Sequence, residues 1–364
     1  MLKELRAKYP RAELRFWVDT GFAKQAKQIL AEFDPSMPVH TITSGKLRRY
    51  HHLNTIQHLL WGSLMWKNFV DLLKVAAGVF QSLVKLIVWR PDVIFAKGGF
   101  VCLPVGIAAF FLRIPLVLHD SDAHPGLTNR ILSRWAAAIG TGAPLEYYDY
   151  PQYKATYVGI PVGESFKKPS KPVQKAAKIA WNVPDDKPLI VVTGGGLGAK
   201  RLNQMIIELL PKLQRLGSVI LVSGEGNYQA IKSVAPVNSP LFQLHSFVKT
   251  MPQLLAAADV VVSRAGATTI LELASLQKPT ILVPNAALTG GHQLKNANVY
   301  GDAQAAIVID EDAAVENPEI LYKAISFYIK QPKIAAAMAQ RMGKFAKPNA
   351  AADMAKLIVS KAKK

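Results

Sequence analysis

Short β-branched and aliphatic runs recur along the chain, each followed by a glycine-rich or polar turn and then a longer amphipathic stretch. The clearest run is Val260-Val261-Val262, the pattern of a parallel strand buried on both faces. Arg264-Ala265-Gly266-Ala267 then reads as a tight turn, and Thr268 or Thr269 offers a hydroxyl to cap the following helix. Gln277-Lys278-Pro279 ends that helix, Thr280-Ile281-Leu282-Val283 is the next strand, residues 284–291 form a loop, and His292-Gln293-Leu294-Lys295-Asn296 opens another helix. This is one right-handed βαβ unit with polar residues gathered at the carboxyl ends of its strands. Ligands of open α/β sheets bind there.

The same alternation predicts strands over residues 14–18, 93–96, 115–118, 157–160, 188–192 and 219–222, with no repeat at a fixed period. A chain of 364 residues is too long for one ordinary core, so two domains are expected. Residues 1–162 form the first and 163–340 the second, and a basic C-terminal helix over 341–364 packs back towards the first. The opening is unusual: residues 2–9 read as the last turns of a helix, Pro10 breaks it, and the first strand follows. An α/β domain is expected to begin with a strand and a glycine-rich loop, so the pattern starts one βα unit late.

The most apolar stretch, residues 59–89, is interrupted by Lys67, Asp71, Lys74 and Lys85, leaving no clean run of ~20 apolar residues to span a bilayer. Its apolar positions recur with helical spacing, so one face packs on a sheet. The surplus Trp61, Trp66, Phe69 and Phe80, flanked by lysines, suit a helix lying among lipid headgroups, against the plainer reading of a core helix.

Charge narrows the partners. The net charge is +19 and half of the residues are hydrophobic. An acidic partner is implied, and the lack of any nucleic-acid motif turns that towards an anionic membrane surface or a phosphate-bearing substrate. The stretch from Tyr322 to Lys364 holds nine lysines, one arginine and one acid, Asp353. It is a solvated helical face or a membrane-directed basic tail. The single cysteine, Cys102, excludes an internal disulfide framework and a CxxC metal site.

Candidate chemistry clusters at three strand ends. Thr193-Gly194-Gly195-Gly196-Leu197-Gly198 opens a helix, and consecutive glycines let the backbone approach a diphosphate. No Gly-Lys-Ser/Thr follows, which argues against an ATPase. In the first half, Lys97-Gly98-Gly99-Phe100 feeds a helix and His119-Asp120-Ser121-Asp122 ends a strand, gathering carboxylates and histidines suited to general-base work, with metal binding the competing reading. In the second half, Thr269-Ile270-Leu271-Glu272 fits a capping box, yet Glu272 equally fits a carboxylate accepting from a ribose diol. His292 and Gln293 read as surface caps or as ligands.

Arg264-Ala265-Gly266-Ala267-Thr268-Thr269 with Glu272, then Lys278-Pro279, Val283-Pro284, and His292-Gln293 with Asn296, resembles the donor site of the MurG family, the peptidoglycan N-acetylglucosaminyltransferases. The resemblance runs from Phe16 to about Asp310. It implies the GT-B arrangement, two Rossmann-like α/β domains facing a cleft, with the first βα unit of the N-terminal domain missing. It assigns donor binding to Gly195, Gly196, Gly198, Phe247, Val248, Arg264, Gly266, Thr268, Glu272, His292 and Gln293. Glu272 would hold the ribose hydroxyls, the Phe247–Val248 positions the uracil, and His292 and Gln293 the N-acetylglucosamine. It assigns acceptor binding to Gly98, Gly99, Phe100, Asp122 and Asn129, although Phe100, Asp120 and Asp122 stand where the family more often has Tyr, Glu and Asn. A glycine-and-basic segment from Thr41 to Tyr50 corresponds to an acceptor or membrane contact. Gly163 stands where the family often has an arginine.

The activity so implied is inverting transfer of N-acetylglucosamine from UDP-N-acetylglucosamine to undecaprenyl-pyrophosphoryl-MurNAc-pentapeptide, on the cytoplasmic face of the cell membrane, by a peripheral protein on an anionic surface. No cofactor, no metal and no nucleic acid is expected. The family's histidine base lies in the absent loop, so His119, Asp120 and Asp122 are the candidate catalytic residues. A diacylglycerol glycosyltransferase, or an inactive UDP-sugar-binding partner protein, remains the alternative.

Overall fold

The structure, a computed structural model, describes residues 1–46, 62–196, 198–236, 239–285 and 291–363. It divides into two compact units: Met1–Pro161 with Asn349–Lys364, and Val162–Pro348.

The second unit holds one six-stranded, wholly parallel sheet: β7 (Leu189–Thr193), β8 (Ser218–Val222), β9 (Phe242–His245), β10 (Val260–Ser263), β11 (Thr280–Leu282) and β12 (Ile307–Val308), in the order β12-β11-β10-β7-β8-β9. β7, β8, β10 and β11 are buried along their whole length, as their unbroken β-branched runs require. Ile190, Val192, Val260, Val262 and Ile281 share one core with Leu202, Ile206 and Leu210 of the Lys200–Leu213 helix and with Leu321, Ile325 and Tyr328 of the Glu319–Lys330 helix. The strand order reverses at β7 and β10, whose carboxyl ends carry the glycine loop and the Arg264 turn.

The first unit has a parallel pair, β1 (Phe16–Val18) and β2 (Val39–Thr41), and a four-stranded parallel sheet ordered β3 (Ile94–Ala96), β4 (Leu116–Asp120), β5 (Ala138–Thr141), β6 (Ala155–Tyr157). Among the described residues no strand pairs with the second edge of β1 or of β3. In the second unit the first strand, β7, sits in the middle of its sheet. The helix Leu2–Lys8 precedes β1, and Pro10 lies just beyond its end.

The Ala350–Ser360 helix belongs to the first unit, where Met354 and Ile358 pack on Val117, Ala138 and Val158, and the Lys363 amide donates to the Asp92 carbonyl at 3.0 Å. The Pro332–Gly343 helix lies in the second unit. β6 ends at Tyr157, so the segment running on to Gly163 is not strand.

The Gly62–Val88 helix is apolar on two opposite faces. Leu64, Val75 and Leu86 face inward, with Asp71 and Ser82 buried beside them. Trp66, Phe69, Leu73, Phe80, Val84 and Ile87, at helical spacing on the other side, are exposed, Phe80 by 70% and both Trp66 and Ile87 by 66%. Trp61 and the basic run from Leu47 to Tyr50 lie outside the described residues. No helix among the described residues is long and apolar enough to cross a membrane.

Candidate functional site

The glycine loop after β7 is built so that only glycine fits at its critical points. Gly195 and Gly198 adopt φ of +75° and +72°, a region side chains rarely enter. A Cβ on Gly194 would lie 2.4 Å from the Ala199 nitrogen, and one on Gly198 2.3 Å from the Ser223 carbonyl oxygen. At Gly196, by contrast, nothing stands within 4 Å, so its backbone is open to a ligand. The Lys200–Leu213 helix starts at Ala199 with no side-chain cap, leaving its first N–H groups available to an anion.

The turn after β10 corrects the expected cap. Helix Ala267–Leu276 takes Gly266 as its N-cap and has no side-chain cap, so neither Thr268 nor Thr269 serves as one. The helix starts earlier than a threonine cap requires, because Gly266 supplies the extended backbone that opens it. Glu272 therefore lies a full turn too deep to close a capping box. Among the described residues no hydrogen bond to its carboxylate is made, and burial alone raises its pKa to about 7. Thr268 is exposed nearby.

Arg264 is turned inward rather than towards a ligand. Its guanidinium donates to the Val283 carbonyl at 2.9 Å and pairs with Glu311, both side chains being nearly inaccessible. Asn296 donates to the Ala265 carbonyl at 3.2 Å, fastening the same turn from the His292–Asp302 helix. That helix begins at His292 with Gly291 in the left-handed region, and the Gln293 side-chain oxygen accepts from the Asn285 amide at 2.9 Å. Phe247 is 59% exposed just beyond β9, while its neighbour Val248 is buried.

A second cluster occupies the carboxyl ends of β3 and β4 in the first unit. His119 is 1% exposed; its Nε2 donates to the Gly159 carbonyl at 2.8 Å and the Ser121 hydroxyl lies 3.3 Å from Nδ1. Burial holds its pKa down to about 4, so the ring is neutral. Asp120 is also buried, and desolvation lifts it to about 6 against hydrogen bonds from Tyr150 and Asn129 that favour the carboxylate. The Tyr150 hydroxyl donates to Asp120 Oδ2 at 2.6 Å. Tyr148, stacked on Tyr150 with ring centroids 5.7 Å apart, donates to the Asp122 carbonyl at 2.7 Å. Neither tyrosine stands out in the sequence, because residues 145–150 carry no motif and reach the cluster only through the fold.

Gly98 and Asn129 meet directly. Gly98 has φ +88°, and a Cβ there would lie 2.7 Å from Asn129 Nδ2. Asn129 is fully buried and donates to the His119 carbonyl at 3.2 Å, and among the described residues its Oδ1 accepts no hydrogen bond. Gly99 is open, and Phe100 is held by Ser44, whose hydroxyl donates to its carbonyl at 2.9 Å, while the Lys46 ammonium lies 5.7 Å from its ring. The sequence-predicted residues thus gather in two groups, one in each unit.

Two Rossmann-like units of parallel strands, one with a glycine loop and, among the described residues, an unpartnered carboxylate at its strand ends, have the architecture of sugar-nucleotide enzymes, glycosyltransferases among them. Residues 37–141 match the N-terminal domain of glycosyltransferase family 28 and residues 189–358 its C-terminal domain. The chain belongs to the MurG family. It is 35% identical over 292 residues to the UDP-N-acetylglucosamine–N-acetylmuramyl-(pentapeptide) pyrophosphoryl-undecaprenol N-acetylglucosamine transferase of Clostridium perfringens (strain SM101 / Type A), covering 80% of this chain and 76% of that one. A Bacillus anthracis enzyme of the same name is 35% identical over 284 residues, 77% of this chain and 75% of its own. In fold the chain resembles Acinetobacter baumannii MurG, with a TM-score of 0.73 at 23% identity over 99% of this chain and 93% of that one. The Neisseria meningitidis UDP-GlcNAc 2-epimerase bound to UDP-GlcNAc gives 0.57 at 13% identity, over 95% and 99%.

Proposed function

We propose that this protein transfers N-acetylglucosamine from UDP-N-acetylglucosamine to lipid-linked MurNAc-pentapeptide, with inversion at the anomeric carbon. Within a family of that activity, the observation that carries the reading is Glu272: a half-buried carboxylate with no donor among the described residues, one turn above an uncapped helix start. A ribose diol supplies two donors and removes the cost of leaving that charge bare. The open backbone at Gly196 and the free N–H groups of the Lys200–Leu213 helix suit the diphosphate, and they stabilise the charge that grows on it as the sugar leaves. Exposed Phe247 offers an apolar surface to the uracil. His292 and Gln293 open the helix that Asn296 fastens to the Ala265 carbonyl, and they suit the sugar. Arg264 holds the turn on which Gly266 and Thr268 stand.

Asp120 is the base. A carboxylate at about 6 is ionised at neutral pH yet basic enough to take a hydroxyl proton as the bond to the anomeric carbon forms and the bond to the diphosphate breaks. His119, neutral and engaged through both nitrogens, braces the strand end. Gly98, Gly99, Phe100, Asp122 and Asn129 lie on the segments that follow β3 and β4 and suit the acceptor, with the backbone at Gly99 open to it and buried Asn129 bracing the Gly98 turn.

The protein acts at the cytoplasmic face of the membrane, held peripherally by the exposed stripe of the Gly62–Val88 helix and the excess of positive charge. The deciding experiment incubates the full chain with radiolabelled UDP-N-acetylglucosamine and lipid-linked MurNAc-pentapeptide. Labelled lipid product is expected. UDP binding without product would leave a sugar-nucleotide-binding protein and remove the transferase reading; diacylglycerol accepting label in place of the pentapeptide lipid would replace the acceptor.

A further inference from the structure

One buried carboxylate in the second unit has its two oxygens on different elements. Glu311, 4% exposed at the start of the Glu311–Glu316 helix, pairs through Oε1 with Arg264 and through Oε2, at 3.5 Å, with Arg201. Arg264 belongs to the turn after β10; Arg201 stands in the first turn of the helix that follows the glycine loop. Arg201 is fixed further by Asp312, 2.6 Å from its second terminal nitrogen, and Asp310 caps the acidic helix by accepting from the Ala313 amide at 2.9 Å. The acidic triplet 310–312 is thus anchored by its own helix and grips both arginines at once.

We propose that Glu311 is a positioning residue for the sugar-nucleotide site, setting the spacing between the glycine loop on β7 and the Arg264 turn on β10. The inference rests on the reading of these two loops as the donor site. The two loops ride on neighbouring strands, and the nucleotide's diphosphate and ribose would contact one each, so their separation decides whether both sets of contacts form together. Among the described residues no backbone hydrogen bond joins the two loops, whereas Arg264–Glu311–Arg201 is a continuous chain of charge-assisted contacts. Burial makes its inner half stiff. Arg264 is nearly inaccessible, and without its counter-charge it must move or draw in water, dragging the turn with it. A merely stabilising ion pair would need no second arginine, and Arg201 is 43% exposed, where such a contact adds little stability. The arrangement also accounts for Arg264 as a residue that shapes the site while its charge is spent internally.

The test uses the full-length protein, with UDP binding measured by calorimetry, donor KM and kcat measured separately, and thermal midpoints recorded. Arg201→Met leaves the buried pair intact; its midpoint is expected to stay near that of the wild type while UDP affinity falls several-fold. Glu311→Gln is expected to weaken UDP binding by about tenfold or more, raising donor KM with kcat much less affected. Glu311→Asp, which keeps the charge, should recover part of the loss. Were Arg201 a direct diphosphate ligand, freeing it by Glu311→Gln would leave UDP binding unchanged or tighter, and that result overturns the proposal. Unchanged UDP affinity in both Arg201→Met and Glu311→Asp overturns it as well, even if Glu311→Gln fails to fold. A wild-type protein that binds no UDP would instead refute the donor-site reading and take the clamp with it.

Discussion

Tyr150 donates its phenolic hydrogen to Asp120 across 2.6 Å, from a segment thirty residues further along the chain. Burial pushes the Asp120 carboxyl up to about 6, and the Tyr150 bond pulls the other way. If Asp120 is the base, kcat/KM rises with pH through about 6 and levels off above it. Asp120→Asn should lower kcat by ~10²- to 10⁴-fold with UDP affinity unchanged. Tyr150→Phe removes a bond that favours the charged form, so the acidic limb of the profile moves to higher pH. A limb that stays in place in Tyr150→Phe excludes Asp120 as the group it reports.

His119 should show the opposite behaviour. Its folded pKa of about 4 lies below the ordinary histidine value of 6.5, so it is buried neutral. The unfolded chain takes up the proton first; the stability this group contributes is complete above pH 6.5 and is lost as pH falls towards 4. His119→Ala abandons the Gly159 carbonyl and is expected to cost on the order of 1–3 kcal/mol in urea unfolding. Turnover per folded molecule, and the acidic limb of its pH profile, should resemble the wild type near neutrality. Loss of turnover on the scale of Asp120→Asn would return His119 to the chemistry.

The strands of the second unit were legible because Val260–Val262 and Ile190–Val192 are apolar on both faces and each ends at a glycine or proline signal. The helix cap was not, because Gly266 and Thr269 are both acceptable caps locally, and the choice is made by how β10 delivers the chain. The Glu311 clamp was illegible for another reason: its partners lie 110 and 47 residues away in sequence. Asp120 could be picked out as one of several acids at a strand end, but its environment comes from Tyr150, which the sequence gives no reason to connect with it. The double apolar character of the Gly62–Val88 helix was visible in composition, whereas which of its faces stays uncovered is a fact of packing.

The glycine loop separates fold from binding. A methyl group at Gly198 would meet the Ser223 carbonyl at 2.3 Å in a left-handed backbone, so Gly198→Ala should lower both thermal midpoint and UDP affinity. Gly196 has neither constraint, and Gly196→Ala should fold normally. If a diphosphate approaches the backbone there, the added methyl keeps it away and UDP affinity falls by about tenfold or more. Calorimetry on a Gly196→Ala protein with wild-type midpoint and wild-type affinity would move the diphosphate elsewhere.

Glu272 predicts a trade of stability against binding. Its folded pKa, about 7, exceeds the ordinary glutamate value of 4.5, so the fold favours its protonated form. The stability that preference gives is complete below pH 4.5 and is lost as pH rises through 7. Glu272→Gln removes the buried charge and should therefore stabilise the free protein at pH 8, on the order of 1–2 kcal/mol after solvent screening, with no gain near pH 4. The same substitution should weaken UDP strongly, and wild-type UDP affinity should itself decline as pH falls below 7. Unfolding curves at the two pH values, paired with UDP titrations, check both halves. An unaltered UDP affinity in Glu272→Gln removes the ribose assignment.

The exposed stripe on the Gly62–Val88 helix makes a prediction about lipid. Trp66, Phe69, Leu73, Phe80, Val84 and Ile87 face away from the packed side, an arrangement that is costly in water and suits an interface. Burying a large apolar side chain contributes about 1.5–3 kcal/mol, so two of them carry a large share of reversible attachment. The positive charge adds roughly 1 kcal/mol for each lysine or arginine near an anionic surface. Binding to vesicles containing anionic lipid should therefore exceed binding to zwitterionic vesicles and should weaken as salt rises. Phe69→Ser with Phe80→Ser should reduce vesicle binding by about tenfold or more at any salt concentration, leaving UDP affinity and thermal midpoint intact because neither ring is in the core. Vesicle sedimentation reads this directly. Full binding by the double variant would show that the stripe faces something other than lipid, and binding indifferent to anionic lipid would remove charge from the account.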